Sequence, residues 1–107
     1  MSREPNITLE QAKERLKSAV APRVTEESIK AKIASVEYSF IGTSTVCMIT
    51  MVSGFKFFGT STPASPSNYD TEIGQRYAYD NAFKQIWTHE GYLLRERLSQ
   101  QEAHDGK

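Results

Sequence analysis

Residues 54–87 read G-F-K-F-F-G-T-S-T-P-A-S-P-S-N-Y-D and then T-E-I-G-Q-R-Y-A-Y-D-N-A-F-K-Q-I-W. The first part, Phe55 to Ser61, is rich in aromatic and β-branched residues and reads as a strand. Side chains alternate along a strand, so Phe55 and Phe57 share one face and Phe58 lies on the other. Gly59 inside the strand marks a bulge or the close approach of another group. Residues 62–69 hold Pro63, Pro66, Ser65, Ser67 and Asn68, a composition that excludes regular structure. Tyr69 and Asp70 lead into a long helix with Asp70 as its cap. Its expected buried side is Ile73, Tyr77, Phe83 or Ala82, Ile86 and Trp87.

Upstream, Val36, Tyr38 and Phe40 alternate with Glu37 and Ser39, which predicts a half-buried strand. Gly42-Thr43-Ser44 is a turn signal, and Thr45 to Met51 has the β-branched, apolar content of a central strand. Ser53-Gly54 is a second turn. Short connections favour antiparallel neighbours, so the three strands form a meander. Before them, Thr25 caps a short helix that ends near Ser35, with Val24 and Ile29 at hydrophobic-staple spacing. Earlier still, Thr8 and Gln11 stand at capping-box positions of a helix that Pro22 ends near residue 20. Its stripe of Leu9, Ala12, Leu16 and Ala19 is thin, so this helix docks loosely or against a neighbouring subunit.

Downstream, Thr88 is the expected cap of a last helix after a break near Gly91, with Leu94 and Leu98 facing inward. Residues 1–7 and 100–107 read as flexible tails. The expectation is a single α+β domain over residues 1–107. It has two N-terminal helices, a three-stranded antiparallel β-sheet and two C-terminal helices.

The balance of 13 basic and 13 acidic residues argues against a dedicated duplex nucleic-acid binder. One cysteine, Cys47, excludes an internal disulfide framework and a Cys-cluster zinc site. The absence of a signal-peptide pattern and of a long apolar run points to a cytoplasmic protein that does not enter membranes. A domain of 107 residues buries only about 60–70% of its unfolded surface, and self-association is a natural way to bury more.

Ser61, His89 and Asp70 supply the residue types of a hydrolase triad, but no nucleophile-elbow pattern surrounds Ser61. His89 and His104 lack metal-ligand spacing, and Cys47 in a central strand reads as a small buried hydrophobe. No catalytic residue, metal site or cofactor is therefore expected. Gly54 and Gly59 form neither a dinucleotide fingerprint nor a phosphate loop. Phe58, Gly59, Thr60, Ser61, Asn68 and Tyr69 remain as the candidate ligand-binding group: an aromatic face for stacking beside hydroxyl and amide partners. Arg76 and Lys84 on the long helix are candidate phosphate contacts, should that helix cover the loop.

The segments V-T-E-E-S-I-K-A-K-I, T-V-C-M-I-T-M-x-S-G-F, G-T-S, S-N-Y-D-x-E-I-G and A-Y-D-N-A-F-K-Q-I-W-x-x-E-G-Y-L-L occur in order between residues 24 and 98. Together they resemble a family of small tailed-phage proteins, some of which are Thoeris anti-defence sponge proteins of the first described type. That resemblance implies a non-enzymatic protein of the host bacterial cytoplasm. Its ligand is a cyclic ADP-ribose isomer or a related cyclic oligonucleotide, sequestered intact in pockets between subunits of a homo-oligomer. It also implies that Phe58 stacks on adenine and that Asn68 hydrogen-bonds a ribose or a base edge. Many relatives carry an S-A-C-type sequence after the strand, where this chain reads S-T-P-A-S-P. The alternatives are a phage enzyme that degrades the same signal and an accessory protein that binds a host protein.

Overall fold

Ser44–Met51 (β2) is the strand around which the other elements assemble in the computed structural model, which describes residues 4–19 and 21–105. Its burial follows strict period two: Thr45, Cys47, Ile49 and Met51 are buried, while Ser44, Val46, Met48 and Thr50 are half-buried. Ile33–Ile41 (β1) and Lys56–Ser61 (β3) pair with it on either side, both antiparallel, in the order β1-β2-β3. The β1–β2 turn uses Gly42 at φ 59°, a conformation that glycine adopts without steric cost. The meander is as the residue pattern implies.

The register puts Val36, Tyr38 and Phe40 beside Ile49, Cys47 and Thr45, and these beside Phe57, Gly59 and Ser61. This is the face on which the long helix lies, mostly over β2 and β3. The opposite face carries Glu37, Ser39, Val46, Met48, Phe58 and Thr60 and has no helix on it among the described residues. Ile49 and Ile86 are fully buried at the centre, and each contributes about 1.5–3 kcal/mol by leaving water.

Three helices complete the chain: Leu9–Lys17 (α1), Glu26–Lys30 (α2) and Thr71–Asp105 (α3), with a 3-10 turn at Pro66–Asn68 before the last. Both expected N-terminal caps are present, with Thr8 and Gln11 forming a reciprocal capping box and Thr25 and Ser28 another. Helix α1 ends at Lys17 and buries none of its residues, so its thin stripe gives it no place on the sheet. Helix α2 stops at Lys30, five residues earlier than its expected end, and hands over to β1 at Ile33. The β-branched Ile33 and Val36 are better served by pairing with β2 than by another helical turn.

The expected pair of C-terminal helices is a single helix of 35 residues, about 52 Å long. Gly91 does not break it. A helical glycine costs only about 1 kcal/mol relative to alanine, and the following Leu93, Leu94, Arg95, Glu96 and Arg97 are strong helix formers. Thr88 accordingly lies inside the helix and caps nothing. The expected C-terminal tail is helical as far as Asp105, and residues 106 and 107 lie outside the described residues.

The docking line of α3 is Ala78, Ala82 and Ile86, with Phe83 beside it. Ile73, Tyr77 and Trp87, expected inside, are instead 53%, 62% and 40% exposed. The reason is Gly59. A Cβ there would overlap the Ala78 carbonyl and the Ala82 amide and lie 2.9 Å from the Ala82 Cβ, so backbone meets backbone. Only small side chains fit on a contact line that close, and the large aromatics are pushed to its flanks. Phe55 is also 59% exposed, since the strand begins at Lys56 and Phe55 belongs to the turn.

Beside this line Gly74 performs a similar service for Thr45, whose Oγ1 would lie 2.5 Å from a Cβ on Gly74. That hydroxyl is buried and finds no hydrogen-bond partner among the described residues. Two substitutions test the packing. Gly59→Ala is expected to lower unfolding free energy by about 3 kcal/mol, the upper part of the range for overpacking. Thr45→Val removes the unpaired hydroxyl and is expected to raise stability by about 1 kcal/mol. Urea unfolding followed by circular dichroism measures both.

Candidate functional site

The loop between β3 and α3 is held by its own polar groups. Ser65 Oγ and Ser67 Oγ are 2.9 Å apart, the Asn68 amide donates to the Ser65 carbonyl at 2.9 Å, and Ser44 Oγ and Thr62 Oγ1 meet at 2.7 Å. Asp70 caps α3 as expected: its Oδ1 accepts from the amides of Glu72 at 3.0 Å and Ile73 at 3.1 Å. The result is a hollow of about 150 Å³ lined by Thr43, Ser61, Thr62, Asn68, Tyr69 and Asp70, with Ile73, Gly74 and Tyr77 from α3. Three of the eight candidate residues, Ser61, Asn68 and Tyr69, therefore share one depression.

The other candidates lie elsewhere. Phe58 projects from the uncovered face of the sheet, opposite Met48, and is 52% exposed. Thr60 is on the same face as Phe58. Gly59 is buried, and the close approach it permits is that of α3. Arg76 is bound by Asp80 one turn along α3, and its guanidinium carbon lies 5.1 Å from the centroid of Tyr79. Lys84 is exposed and sits half a turn from both Ala82 and Ile86, so it points away from the sheet.

Arg76 belongs to a separate cleft of about 420 Å³ between α2, β1 and α3, lined by Glu26, Lys30, Tyr38, Arg76, Tyr79, Asp80, Phe83 and Trp87. Its walls are aromatic and its charges are paired. Lys30 lies 2.8 Å from Glu26, and its hydrogen bond holds the Glu26 carboxyl below the usual carboxylate range. The hydrogen bond to Asp80 raises Arg76 in turn. Burial pushes up the Tyr38 phenol, and it does the same to the Cys47 thiol beneath. Both groups are kept neutral, and Cys47 is inert packing as its strand position implies.

A third depression, of about 460 Å³, lies at the β2–β3 turn and is mostly apolar. Phe55, Phe57 and His89 form an aromatic cluster with ring centroids 5.1–5.9 Å apart, beside Val52, Tyr92 and Leu93. Lys32 and Glu90 close one side of it at 2.6 Å. Among the described residues no group of three or more His, Cys, Asp or Glu stands close enough to hold a metal ion, and no helix is long and apolar enough to cross a membrane.

Sequence reasoning missed Asn81 and Gln85. Gln85 Nε2 donates to the Phe58 carbonyl at 2.7 Å, and Asn81 Oδ1 accepts from the Thr60 amide at 3.1 Å. Two amide side chains one helical turn apart thus satisfy the outer edge of β3. Their spacing was visible, but its meaning depends on knowing which strand lies at the edge. Asn81→Ala is expected to cost about 1 kcal/mol. It should also speed native-state hydrogen exchange at the Thr60 amide while leaving the amides of β2 unchanged, which exchange-detected NMR resolves.

No curated protein and no solved structure matches the chain. A protein-family model matches residues 24–98. That span contains α2, the whole sheet, the loop hollow and the docked part of α3, and it leaves out α1. On this match the chain belongs to the phage protein (N4 Gp49/phage Sf6 gene 66) family.

Proposed function

We propose that this small phage protein binds a cyclic ADP-ribose isomer, or a related cyclic nucleotide immune signal, and sequesters it intact in the host bacterial cytoplasm. Free signal then falls too low to activate a Thoeris-type effector. The resemblance of residues 24–98 to anti-defence sponge proteins supplies the ligand class. The observation that carries the reading to a site is the hollow that unites Ser61, Asn68 and Tyr69.

The chemistry of that hollow suits the sugar and base of a nucleotide. Hydroxyls of Ser61, Thr62 and Tyr69 and the amide of Asn68 supply donors and acceptors without a strong charge. Asp70 already occupies the first amides of α3 and adds a negative charge there, so phosphates are better placed outside the hollow.

Size also constrains the reading. At about 150 Å³ the hollow is half the roughly 300 Å³ at which small-molecule sites begin. A nucleotide is enclosed only if a second copy closes over it. In this reading the second copy brings the ring of its own Phe58, which is exposed and lies on the sheet face away from Ser61. Arg76 and Lys84 play no part in the hollow of their own chain. Such a binder acts stoichiometrically, and closure between copies slows ligand release.

Calorimetry with cyclic ADP-ribose isomers and cyclic dinucleotides, followed by heat denaturation of the loaded protein, tests the reading. Tight binding to at least one nucleotide and recovery of that nucleotide unchanged are expected. Absence of heat with every nucleotide overturns it, and a hydrolysed product shows an enzyme instead. Phe58→Ala and Asn68→Ala are each expected to weaken binding about tenfold or more, the loss of a stacked base or of a buried hydrogen bond. Both positions are exposed, so unfolding free energies should stay within about 0.5 kcal/mol of the parent.

A further inference from the structure

Helix α3 meets β3 with one stripe of short and amide side chains, Ala78, Asn81, Ala82 and Gln85, whose spacing puts all four on one side of the helix. Ala78 and Ala82 touch Gly59 backbone to backbone. On either side of that contact the helix makes one side-chain hydrogen bond to the outer edge of the strand. Asn81 Oδ1 accepts from the Thr60 amide at 3.1 Å, and Gln85 Nε2 donates to the Phe58 carbonyl at 2.7 Å. Antiparallel alternation makes Lys56 the third outward residue of β3, and among the described residues α3 offers its backbone no such bond. The two bonds are thus gathered on Phe58-Gly59-Thr60, whereas bonds that served only to blunt the edge would run along it.

These residues are also where the strand hands out its candidate ligand groups. Phe58 projects from the uncovered face opposite Met48, and Ser61, the residue after Thr60, lines the loop hollow. An exposed ring that moves freely must lose that freedom when it stacks on a base, and holding its backbone beforehand lessens the loss. We propose that Gln85 and Asn81 are positioning residues for nucleotide capture. Gln85 fixes the peptide that carries the Phe58 ring, and Asn81 fixes the strand end that delivers Ser61. The effect on capture rests on the nucleotide reading given above; the hold on the strand does not.

The two amides play opposite hydrogen-bond roles. Gln85 Nε2 faces two carbonyls, that of Phe58 and, at 3.4 Å, that of Asn81, so it donates. Asn81 turns its oxygen to an N–H and so accepts. The same exchange of amide for carboxylate therefore has opposite consequences at the two positions. Asn81→Asp keeps an acceptor for the Thr60 amide. Gln85→Glu removes the donor and sets a carboxylate against two carbonyls. Each substitution adds one negative charge, and the positions are one helical turn apart, so any general repulsion of an anionic ligand is common to both.

The test has two arms. In the first, the dissociation rate of a cyclic ADP-ribose isomer is measured by stopped flow for the parent and both carboxylate variants. Gln85→Glu is expected to release it about tenfold faster, and Asn81→Asp within about twofold of the parent rate. In a Phe58→Ala background Gln85→Glu should change the rate by less than about twofold, because its effect passes through the ring. In the second arm, NMR relaxation dispersion on the ligand-free protein reads microsecond-to-millisecond exchange. Exchange is expected at the Phe58, Gly59 and Thr60 amides of Gln85→Glu, and at none of them in Asn81→Asp; the amides of β2 should stay quiet in both. If circular dichroism shows that Gln85→Glu does not fold, Gln85→Leu removes the donor without adding a charge. Equal release rates from the two carboxylate variants overturn the proposal, as does a Gln85→Glu effect that survives Phe58→Ala. If no cyclic nucleotide binds the parent, the nucleotide reading fails and relaxation alone decides the hold on the strand: exchange at Phe58 upholds it, and a flat profile overturns it.

Discussion

Backbone contact between α3 and β3 at Gly59 decides where nearly everything else in the molecule lies. Because no Cβ intervenes, Ala78 and Ala82 rest on the strand, and the axis of the helix is fixed over β2 and β3. Ile86 and Phe83 then fill the space against Ile49 and Phe57, and Cys47 is sealed beneath them. The same placement brings Asn81 and Gln85 to the outer edge of β3, where they satisfy groups that would otherwise face water. It also leaves β1 outside the cover of α3, which opens the cleft of Tyr38, Arg76 and Trp87 between α2 and α3.

That geometry spreads the candidate recognition residues over surfaces that do not meet within one chain. Ser61, Asn68 and Tyr69 line a shallow hollow at the start of α3, while Phe58 projects from the far face of the sheet. Arg76 is engaged with Asp80 and Tyr79 on the β1 side, and Lys84 faces away. A single copy therefore brings only three of the eight candidates, Ser61, Asn68 and Tyr69, into one hollow. Helix α1, which buries none of its residues, adds to the surface left for neighbours.

Most of the topology was legible before any coordinates. β-Branched and apolar content between two turn signals placed β2 within one residue of its ends, and the caps at Thr8, Thr25 and Asp70 were each readable from a polar side chain followed by a helical pattern. Alternation also put Phe58 on the face opposite Phe57. What could not be read was the phase of α3 on the sheet. Hydrophobicity favours Ile73, Tyr77 and Trp87 for the interior, but Gly59 admits only the Ala78–Ala82 line. That is a relation between residues about twenty positions apart in the chain. Gly91 misled for a similar reason, since a glycine's modest local cost says nothing about the strong helix formers that follow it. Of the site, the loop residues were legible from composition. The partners of Arg76 were not, because they depend on which side of α3 faces the cleft.

The central claim is that the nucleotide site is complete only across copies, with Phe58 and Asn68 supplied by different chains. Refolding Phe58→Ala and Asn68→Ala chains together, then titrating with a nucleotide that the parent binds, tests it directly. In a mixed pair one of the two shared sites carries both substitutions and the other carries neither. The account predicts that the mixture regains parent-like affinity at a fraction of its sites, although neither variant binds well alone. A mixture in which exchange of chains is demonstrated, yet which binds no better than the separate variants, would contradict it.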